Sequence, residues 1–390
     1  MAATAEHTVP PAADTRGAAP WADRRVVLVH DWLTGMRGGE KVLECLCRMF
    51  PSAEILTLIH VRGSVSATIE SHPIRTSLVQ HLPRAAAAYR YYLPLFPSVI
   101  ETFDLDEVDL VISTSHCAVK SVVPTGRAVH VCYCHSPMRY AWDQFDAYFG
   151  PERLGALGSA LARPVLGWLA HWDRATADRV DAFAANSRFV AGRIGRYYNR
   201  QASVLYPPVD TQFFTPVSSP AQPYFLVVSA LVPYKRLEIA IGAAQQLGVP
   251  LKIVGTGPDL ARLQRIAGPT VEFLGALDPD ALREAYRHAR ALVMPGEEDF
   301  GIAPVESMAC GRPVIALGRG GALETVVPGV TGRLVAEPTV EAFADAMRAM
   351  LADEFDPAPM VAHASRFSVA AFEDGFRRLL TQTLSAGAAC

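Results

Sequence analysis

The sequence predicts an α/β protein of two facing domains, each built on a parallel sheet, and three observations carry the prediction. Short apolar runs of strand length alternate with helix-compatible segments in both halves of the chain, as parallel strands with crossover helices require. A stretch from Tyr206-Pro207-Pro208-Val209-Asp210 to Pro223 is rich in proline and lacks a hydrophobic period, so it separates the halves. A length of 390 residues is ample for two large cores.

Composition narrows the function classes. Hydrophobic residues make up 50% of the chain and charged ones 19%, the balance of a soluble globular enzyme. No run reaches the roughly 18 uninterrupted apolar residues of a membrane span. Residues 1–23 are rich in Ala, Pro and Thr and lack an apolar core, so they read as a disordered tail and not as a signal peptide. A cytoplasmic location follows as the expectation. Of the seven cysteines, Cys45/Cys47 and Cys132/Cys134 are spaced C-x-C and Cys117, Cys310 and Cys390 stand alone. No second pair completes a zinc pattern, and they are expected to be small buried hydrophobes. The net charge of −3 hides a slight positive surplus in residues 24–210. That surplus is too small for nucleic-acid binding and permits a weak attraction to the anionic inner face of a membrane.

In the first half, Arg25-Val26-Val27-Leu28-Val29-His30 reads as a buried strand, and Glu40 to Phe50 as a helix with Val42, Leu43, Leu46 and Met49 on one side. The turn between them ends in Gly38-Gly39, where an α/β fold lets a ligand approach the backbone. It lacks the G-x-G-x-x-G of a dinucleotide loop. Ile55–Ile59, Leu110–Ser113 and Val129–Tyr133 continue the strands. The aromatic stretch Arg84 to Phe103 carries few charges and is expected to pack on its own domain instead of touching a membrane. His135 stands just past a strand in Cys134-His135-Ser136-Pro137-Met138-Arg139-Tyr140-Ala141-Trp142-Asp143, at the end of the sheet where α/β sites form. His116 and Lys120 follow the neighbouring strand and are further lining candidates. Residues 154–171 are apolar and helix-compatible, Asp181–Asn186 is a strand, and Ser187 suits the cap of the next helix.

The second half repeats the alternation with strands at Tyr224–Ser229, Leu251–Val254, Thr270–Leu274, Leu292–Met294 and Val314–Leu317. Lys235 and Arg236 follow the first of these, and a lysine there is a compact charge suited to a diphosphate. Gly255-Thr256-Gly257 lacks the third glycine of a dinucleotide fingerprint, which excludes an NAD reading. Thr339 suits an N-cap before the helical face Phe343, Met347, Met350/Leu351. Phe372, Phe376, Leu379 and Leu380 share one side of a last helix.

The organising stretch is Gly296-Glu297-Glu298-Asp299-Phe300-Gly301-Ile302-Ala303-Pro304-Val305-Glu306. Pro295-Gly296 ends a buried strand, Pro304 suits the first turn of a helix, and Gly311 suits the position after its end. A short helix following a loop leaves free N–H groups near Gly301 to Val305, with the positive end of the helix dipole behind them, as a phosphate site. Two carboxylates beside a phosphate must serve something neutral or cationic, and hydroxyl groups are the natural partners. Glu298 on the loop and Glu306 on the helix around a held diphosphate describe a nucleotide-sugar.

The pattern E-x-F-G-x-x-x-x-E from Glu298 to Glu306, followed by Gly311-Arg312-Pro313-Val314-Ile315-Ala316 and Gly320-Gly321-x-x-Glu324, resembles the donor site of retaining glycosyltransferases of family four. The resemblance runs from about residue 25 to the C-terminus. It implies the GT-B architecture of two Rossmann-like domains with a cleft between them: residues 24–210 as the acceptor domain, 211–223 as the linker, 224–363 as the nucleotide-sugar domain and 364–390 as a C-terminal helix returning to the first domain. It also implies roles. Glu298 meets the donor sugar and Glu306 the ribose hydroxyls, with Phe300, Gly301 and Ile302 between them. Gly38 and Gly39 face the donor phosphates or the acceptor, Lys235 and Arg236 lie at the phosphates, Gly255 and Gly257 border the donor, and Leu277 borders the base. His135 contacts the donor sugar or the acceptor; Arg139, Trp142 and Asp143 are acceptor-side candidates. The segment C-H-x-P-x-R-Y-x-W resembles mannosyltransferases of polysaccharide and O-antigen synthesis.

One departure stands out. Many members carry an arginine five residues before the phosphate lysine, where this chain has Ala230, and Arg236 or Arg319 would have to supply the charge. No aspartate cluster of D-x-D type is read in the chain, so a metal-independent transferase with GDP-mannose as co-substrate, no cofactor, and a glycan or lipid-linked acceptor is the expectation. A UDP-sugar donor, a UDP-sugar 2-epimerase of the same fold and a non-catalytic sugar-nucleotide-binding subunit are the alternatives.

Overall fold

A computed structural model describes residues 21–126 and 128–387. Most of the tail expected over residues 1–23, and Cys390, lie outside the described residues. The first half forms a seven-stranded parallel sheet from β1 (Val26–His30), β2 (Glu54–Thr57), β3 (Ile74–Thr76), β4 (Leu110–Ser115), β5 (Val129–Cys134), β6 (Ala182–Ala185) and β7 (Ala202–Val204). Its order is β3-β2-β1-β4-β5-β6-β7. The second half forms a six-stranded parallel sheet, in the order β10-β9-β8-β11-β12-β13, from β8 (Phe225–Val228), β9 (Leu251–Val254), β10 (Val271–Gly275), β11 (Ala291–Met294), β12 (Val314–Leu317) and β13 (Gly332–Val335).

Alternation explains why the central strands are continuous apolar runs. Val27 and Val29 of β1 point into one hydrophobic cluster and Leu28 into the cluster on the opposite face, so every position is buried. The edge strands β3, β7 and β13 escaped the sequence reading. They are three or four residues long and carry Arg75, Ser203 and Arg333, so their apolar runs are too short to register. The aromatic stretch packs inward through Tyr89, Leu93, Phe96 and Ile100. Ser187 caps the helix Arg188–Tyr198 by accepting from Val190 N–H at 3.0 Å. All six described cysteines are buried and free.

In each sheet the chain order reverses once, between β1 and β4 and between β8 and β11. Connections leaving such a pair diverge to opposite faces and open a crevice at the carboxyl ends of the strands. The loops after β1, β4, β8 and β11 hold Asp31 to Gly39, His116, Ala230 to Lys235 and Gly296 to Gly301.

Several contacts join the halves. The helix Val369–Gly387 puts Phe372, Phe376, Leu379 and Leu380 into the core of the first sheet, where Phe372 meets the Tyr133 ring edge-on at 5.6 Å. Glu324 of the second half accepts from the N–H groups of Arg188 and Phe189 at 2.9 and 3.1 Å, so it neutralises the N-terminus of a first-half helix. Residues 211–223 lie against the second half, with Phe214 buried and Arg287 donating to the Thr215 carbonyl at 2.7 Å.

The C-terminal helix should therefore contribute to the stability of the first sheet. Phe376→Ala is expected to cost about 3–5 kcal/mol in denaturant unfolding, as for other large buried aromatics cut to alanine. A loss below about 1 kcal/mol would show that the helix is not part of that core.

Candidate functional site

The acidic loop over residues 296–301 is held by close backbone approaches. After β11, Gly296 passes so near the turn before Arg236 that an added Cβ would sit 2.8 Å from Lys235 Cα. Gly321 donates its N–H to the Glu298 carbonyl at 2.8 Å, and a Cβ on it would lie 2.3 Å from Phe300 Cα. Only glycine lets Gly320-Gly321 clasp the loop this tightly. Phe300 is the anchor, buried against the rings of Tyr206 and Phe367. Gly301, at φ +87°, precedes the helix Ile302–Ala309 and brings no side chain to cap it. The helix starts at Ile302, which puts Pro304 in its first turn as the pattern suggested. Its leading N–H groups are left to face the cleft.

Three carboxylates of this loop and its helix, Glu298, Asp299 and Glu306, are engaged. Glu298 forms an ion pair with Lys235, both largely shielded from solvent. Burial alone would push the Lys235 ammonium down, but Glu298 and Tyr234 outweigh it and the net shift is upward. Glu306 is 3% exposed, and its two oxygens accept from Lys41 Nζ at 2.6 Å and from the Tyr286 hydroxyl at 2.8 Å. Lys41 belongs to the first half, on the helix Gly38–Met49. Asp299, between the two glutamates, accepts from Arg139 and, at 3.1 Å, from Arg193, and Arg193 also pairs with Asp143 at 2.6 Å.

Opposite stands a cluster of imidazoles. Asp31, fully buried just after β1, accepts from the N–H groups of His116, Cys117, Ala118 and Val119 at 2.7–3.1 Å and has His116 Nδ1 at 3.3 Å. His135 is fixed through its backbone, donating to Ser115 and accepting from Asn186 Nδ2 at 2.9 Å. Its buried Nε2 has no protein partner. Gly39 opens the space before it, since a Cβ there would lie 3.5 Å from His135 Nε2 and from the His30 ring. A Cβ on Gly38 would meet Ile302 of the second half at 2.9 Å. Burial, reinforced by His116, His30 and Arg139, holds the His135 imidazole well below its ordinary range, and burial also lowers His116. Both rings are neutral near pH 7.

The structure thus brings Gly38, Gly39, His135, Arg139, Lys235, Glu298, Phe300, Gly301, Ile302 and Glu306 to one cleft. Other candidates stand differently. Trp142 donates to Asp173 at 2.8 Å and stacks on Tyr197, and Asp143 is taken by Arg193. Gly255 and Gly257 press on the carbonyls of Ser229 and Leu231, where a Cβ would be 1.9 and 2.2 Å away. Leu277 is half-buried against the second core. Arg236 is exposed at φ +54°, and Arg319 pairs with Glu337 at 3.6 Å. Lys120 does not line the cleft: it is buried and donates to the Asp173 carbonyl at 2.5 Å and to Thr176. Its short helix turns it inward, where Asp173 compensates its charge.

Asp31, Lys41, Arg193, Tyr286 and Asp299 were missed. Asp31 offered a signal as the first residue after a strand; the others are single polar residues whose partners are remote in sequence. Two Asp-x-Asp spellings do occur. In Asp104-Leu105-Asp106 the first carboxylate accepts from Asp106 N–H, while in Asp278-Pro279-Asp280 the first caps a helix and the second pairs with Arg283. Both have local structural work.

Residues 36–213 match the model described as "Glycosyltransferase Family 4", and residues 209–371 match "Glycosyl transferases group 1". A D-inositol 3-phosphate glycosyltransferase of Mycolicibacterium smegmatis is 30% identical over 237 residues, 53% of this chain and 54% of that protein. A GDP-mannose-dependent alpha-(1-6)-phosphatidylinositol monomannoside mannosyltransferase of the same organism is 33% identical over 198 residues, 43% of this chain and 52% of that protein. The alignments span about half the length of these relatives. Among solved structures, Anabaena HepE in complex with UDP and glucose superposes with a TM-score of 0.69 at 19% identity, covering 92% of this chain and 99% of that one. Sucrose-phosphate synthase from Thermosynechococcus elongatus gives 0.70 at 18% identity, covering 93% and 100%. These likenesses establish the GT-B fold.

The neutral imidazole sets a pH dependence. A histidine whose folded pKa is depressed leaves the unfolded chain binding the extra proton, so stability falls as pH drops below about 6.5. His135→Asn should make the acid slope of unfolding free energy between pH 6.5 and 5 shallower by up to about 1.4 kcal/mol per pH unit. An unchanged slope would show that His135 is protonated in the folded protein.

Proposed function

We propose, on the premise that this chain belongs to the family-four glycosyltransferases whose two models its halves match, that it moves a sugar from a nucleotide-sugar to an acceptor hydroxyl with retention of configuration. The observation that carries the reading is Glu306: a buried carboxylate on the helix Ile302–Ala309 whose oxygens already take hydrogens from both halves. Such an acceptor suits a ribose diol. The leading N–H groups of the helix Ile302–Ala309 and the ammonium of Lys235 suit the diphosphate. Glu298, beside Lys235, orients donor-sugar hydroxyls, and neutral His135 presents an unpartnered ring nitrogen from the opposite wall.

The chemical demand is to stabilise a departing diphosphate while the anomeric carbon becomes oxocarbenium-like. Lys235 and the helix dipole meet part of that charge without a metal. The cation absent at Ala230 we assign to Arg139, whose guanidinium lies 5.8 Å from the Tyr234 ring and acts on Glu298 and Lys235. No covalent nucleophile is invoked: the leaving phosphate oxygen takes the proton of the attacking hydroxyl.

GDP-mannose is the donor we infer, supported by the name of the 33% identical relative and by the segment Cys134 to Trp142. The same name supports a lipid-linked acceptor over a free sugar.

Thermal unfolding with GDP, UDP, ADP and GDP-mannose tests the donor. A ligand at a hundred times its dissociation constant adds about 2.7 kcal/mol of stability. GDP and GDP-mannose should raise the midpoint of the wild type and leave Glu306→Ala unmoved. A shift by UDP alone would overturn the donor assignment, and UDP release from a UDP-sugar without acceptor would identify an epimerase. For Arg139, loss of a charge-assisted contact worth about 1.5–3 kcal/mol predicts that Arg139→Gln lowers kcat/KM for the donor roughly 10- to 150-fold. Arg193→Gln, which removes the other arginine on Asp299, should cost less. Equal losses would mean that Arg139 acts only through Asp299.

A further inference from the structure

Where the chain crosses between the halves lies a cavity of about 340 Å³ whose walls share no residue with the cleft. Its size is that of a small-molecule site. One wall is the edge of β7 from Ser203 to Tyr206, the other is the helix Val369–Gly387 with Arg378 and Gln382, and Arg366 joins from the turn before that helix. A Cβ on Gly375 would lie 2.4 Å from Leu205 Cδ1 and 3.9 Å from the Arg378 guanidinium, so only glycine lets the helix touch the strand with the guanidinium beside it. The cavity is lined by two arginines and by no acid. Among the described residues neither guanidinium has a carboxylate partner, whereas Arg377, next to Arg378, takes Glu373 and Asp374 at 3.0 and 3.3 Å.

Two uncompensated guanidinium groups in one concavity favour an anion, and their planar forks match the oxygens of a phosphate. The strand adds a backbone donor. Leu205 gives its N–H to Ala185 at 2.8 Å, so Val204, one step back along β7, turns its N–H to the unpaired edge of the sheet. The Ser203 hydroxyl and the Gln382 amide offer neutral groups beside these charges. We propose that the cavity binds a small phosphate monoester, phosphate on the arginines and hydroxyl groups on Ser203 and Gln382, and that it is an effector site for the cleft. Its walls reach both sides of that cleft. The Tyr206 ring lies 5.6 Å from Phe300, the anchor of the acidic loop, and its hydroxyl donates at 3.1 Å to Glu324, which joins the halves. The Leu205 carbonyl accepts from the Tyr133 hydroxyl at 2.9 Å, and the Tyr133 ring lies 5.0 Å from His135 and 5.6 Å from Phe372 of the cavity wall. A ligand that draws β7 and the helix together therefore acts on Phe300 and on His135 through one ring each. Binding at the cavity stands apart from the transferase reading; the effect on donor affinity rests on it.

Thermal unfolding and calorimetric titration of the full-length protein test the site, with glucose 6-phosphate, inorganic phosphate, glucose and sodium chloride at matched ionic strength. Glucose 6-phosphate should raise the midpoint, and glucose and chloride should not. Arg366→Gln/Arg378→Gln should weaken its binding at least about ten-fold. The ligand-free midpoint should not move, since both arginines are exposed. Lys235→Gln should bind it as the wild type does, which separates the cavity from a phosphate held in the cleft. Saturating glucose 6-phosphate should change GDP affinity at least about five-fold in the wild type and leave it unchanged in the double variant. Undiminished binding by the double variant, loss of binding in Lys235→Gln, or GDP bound equally well with and without the ester would overturn the proposal. Inorganic phosphate bound as tightly as the ester would overturn the monoester assignment in favour of free phosphate. If GDP fails to bind the wild type while the ester still binds through the two arginines, the transferase reading falls and the cavity site stands.

Discussion

The structure depends on carboxylates of the second half being charged where water is largely excluded. A buried carboxylate without a partner costs several kcal/mol, and a chain that places three of them along one loop and helix must bring cations to meet them. Here most of those cations come from the opposite half: Lys41 reaches Glu306, and Arg139 and Arg193 reach Asp299. Lys235 alone serves its carboxylate from within the second half. Forming the site and bringing the halves together are thus one electrostatic event, and Glu324 on the helix N-terminus at Arg188 adds a further bond across the same boundary.

Parallel-sheet topology explains why these groups converge. Each sheet reverses its order beside its first strand, and the loops that diverge there carry the glycines, the imidazoles, Lys235 and the acidic stretch. Backbone approach then does the fine placement. Gly296, Gly320 and Gly321 let three segments touch at distances a Cβ would forbid, which holds Glu298 and Phe300 without help from long side chains. On the first half, four N–H groups on Asp31 fix the turn that carries His116 beside His135. The result is a wall of imidazoles facing a wall of paired acids.

Much of this was legible in the chain because its signals are local. Central strands show as apolar runs since both faces are buried, and a helix start after a glycine-rich acidic loop can be read from a dozen residues. The edge strands β3, β7 and β13 were not legible, because one exposed side admits polar residues and three or four positions hold no period. Lys120 looked like a cleft residue from its position after β4; its burial against Asp173 depends on a helix more than fifty residues downstream. The helix over residues 154–171 was recognisable as apolar, but which of its faces the fold would cover was not.

By itself the sequence determined the two α/β units and the acidic loop before the helix Ile302–Ala309, since each rests on spacing within one segment. Only the tertiary structure decided which charges neutralise which: that Lys41 answers Glu306, that two arginines answer Asp299, and that His135 keeps a free, neutral ring nitrogen. The physical reason is that ionic pairing and desolvation act through space, over separations of up to 265 residues, whereas the periodicities that reveal secondary structure act along the chain.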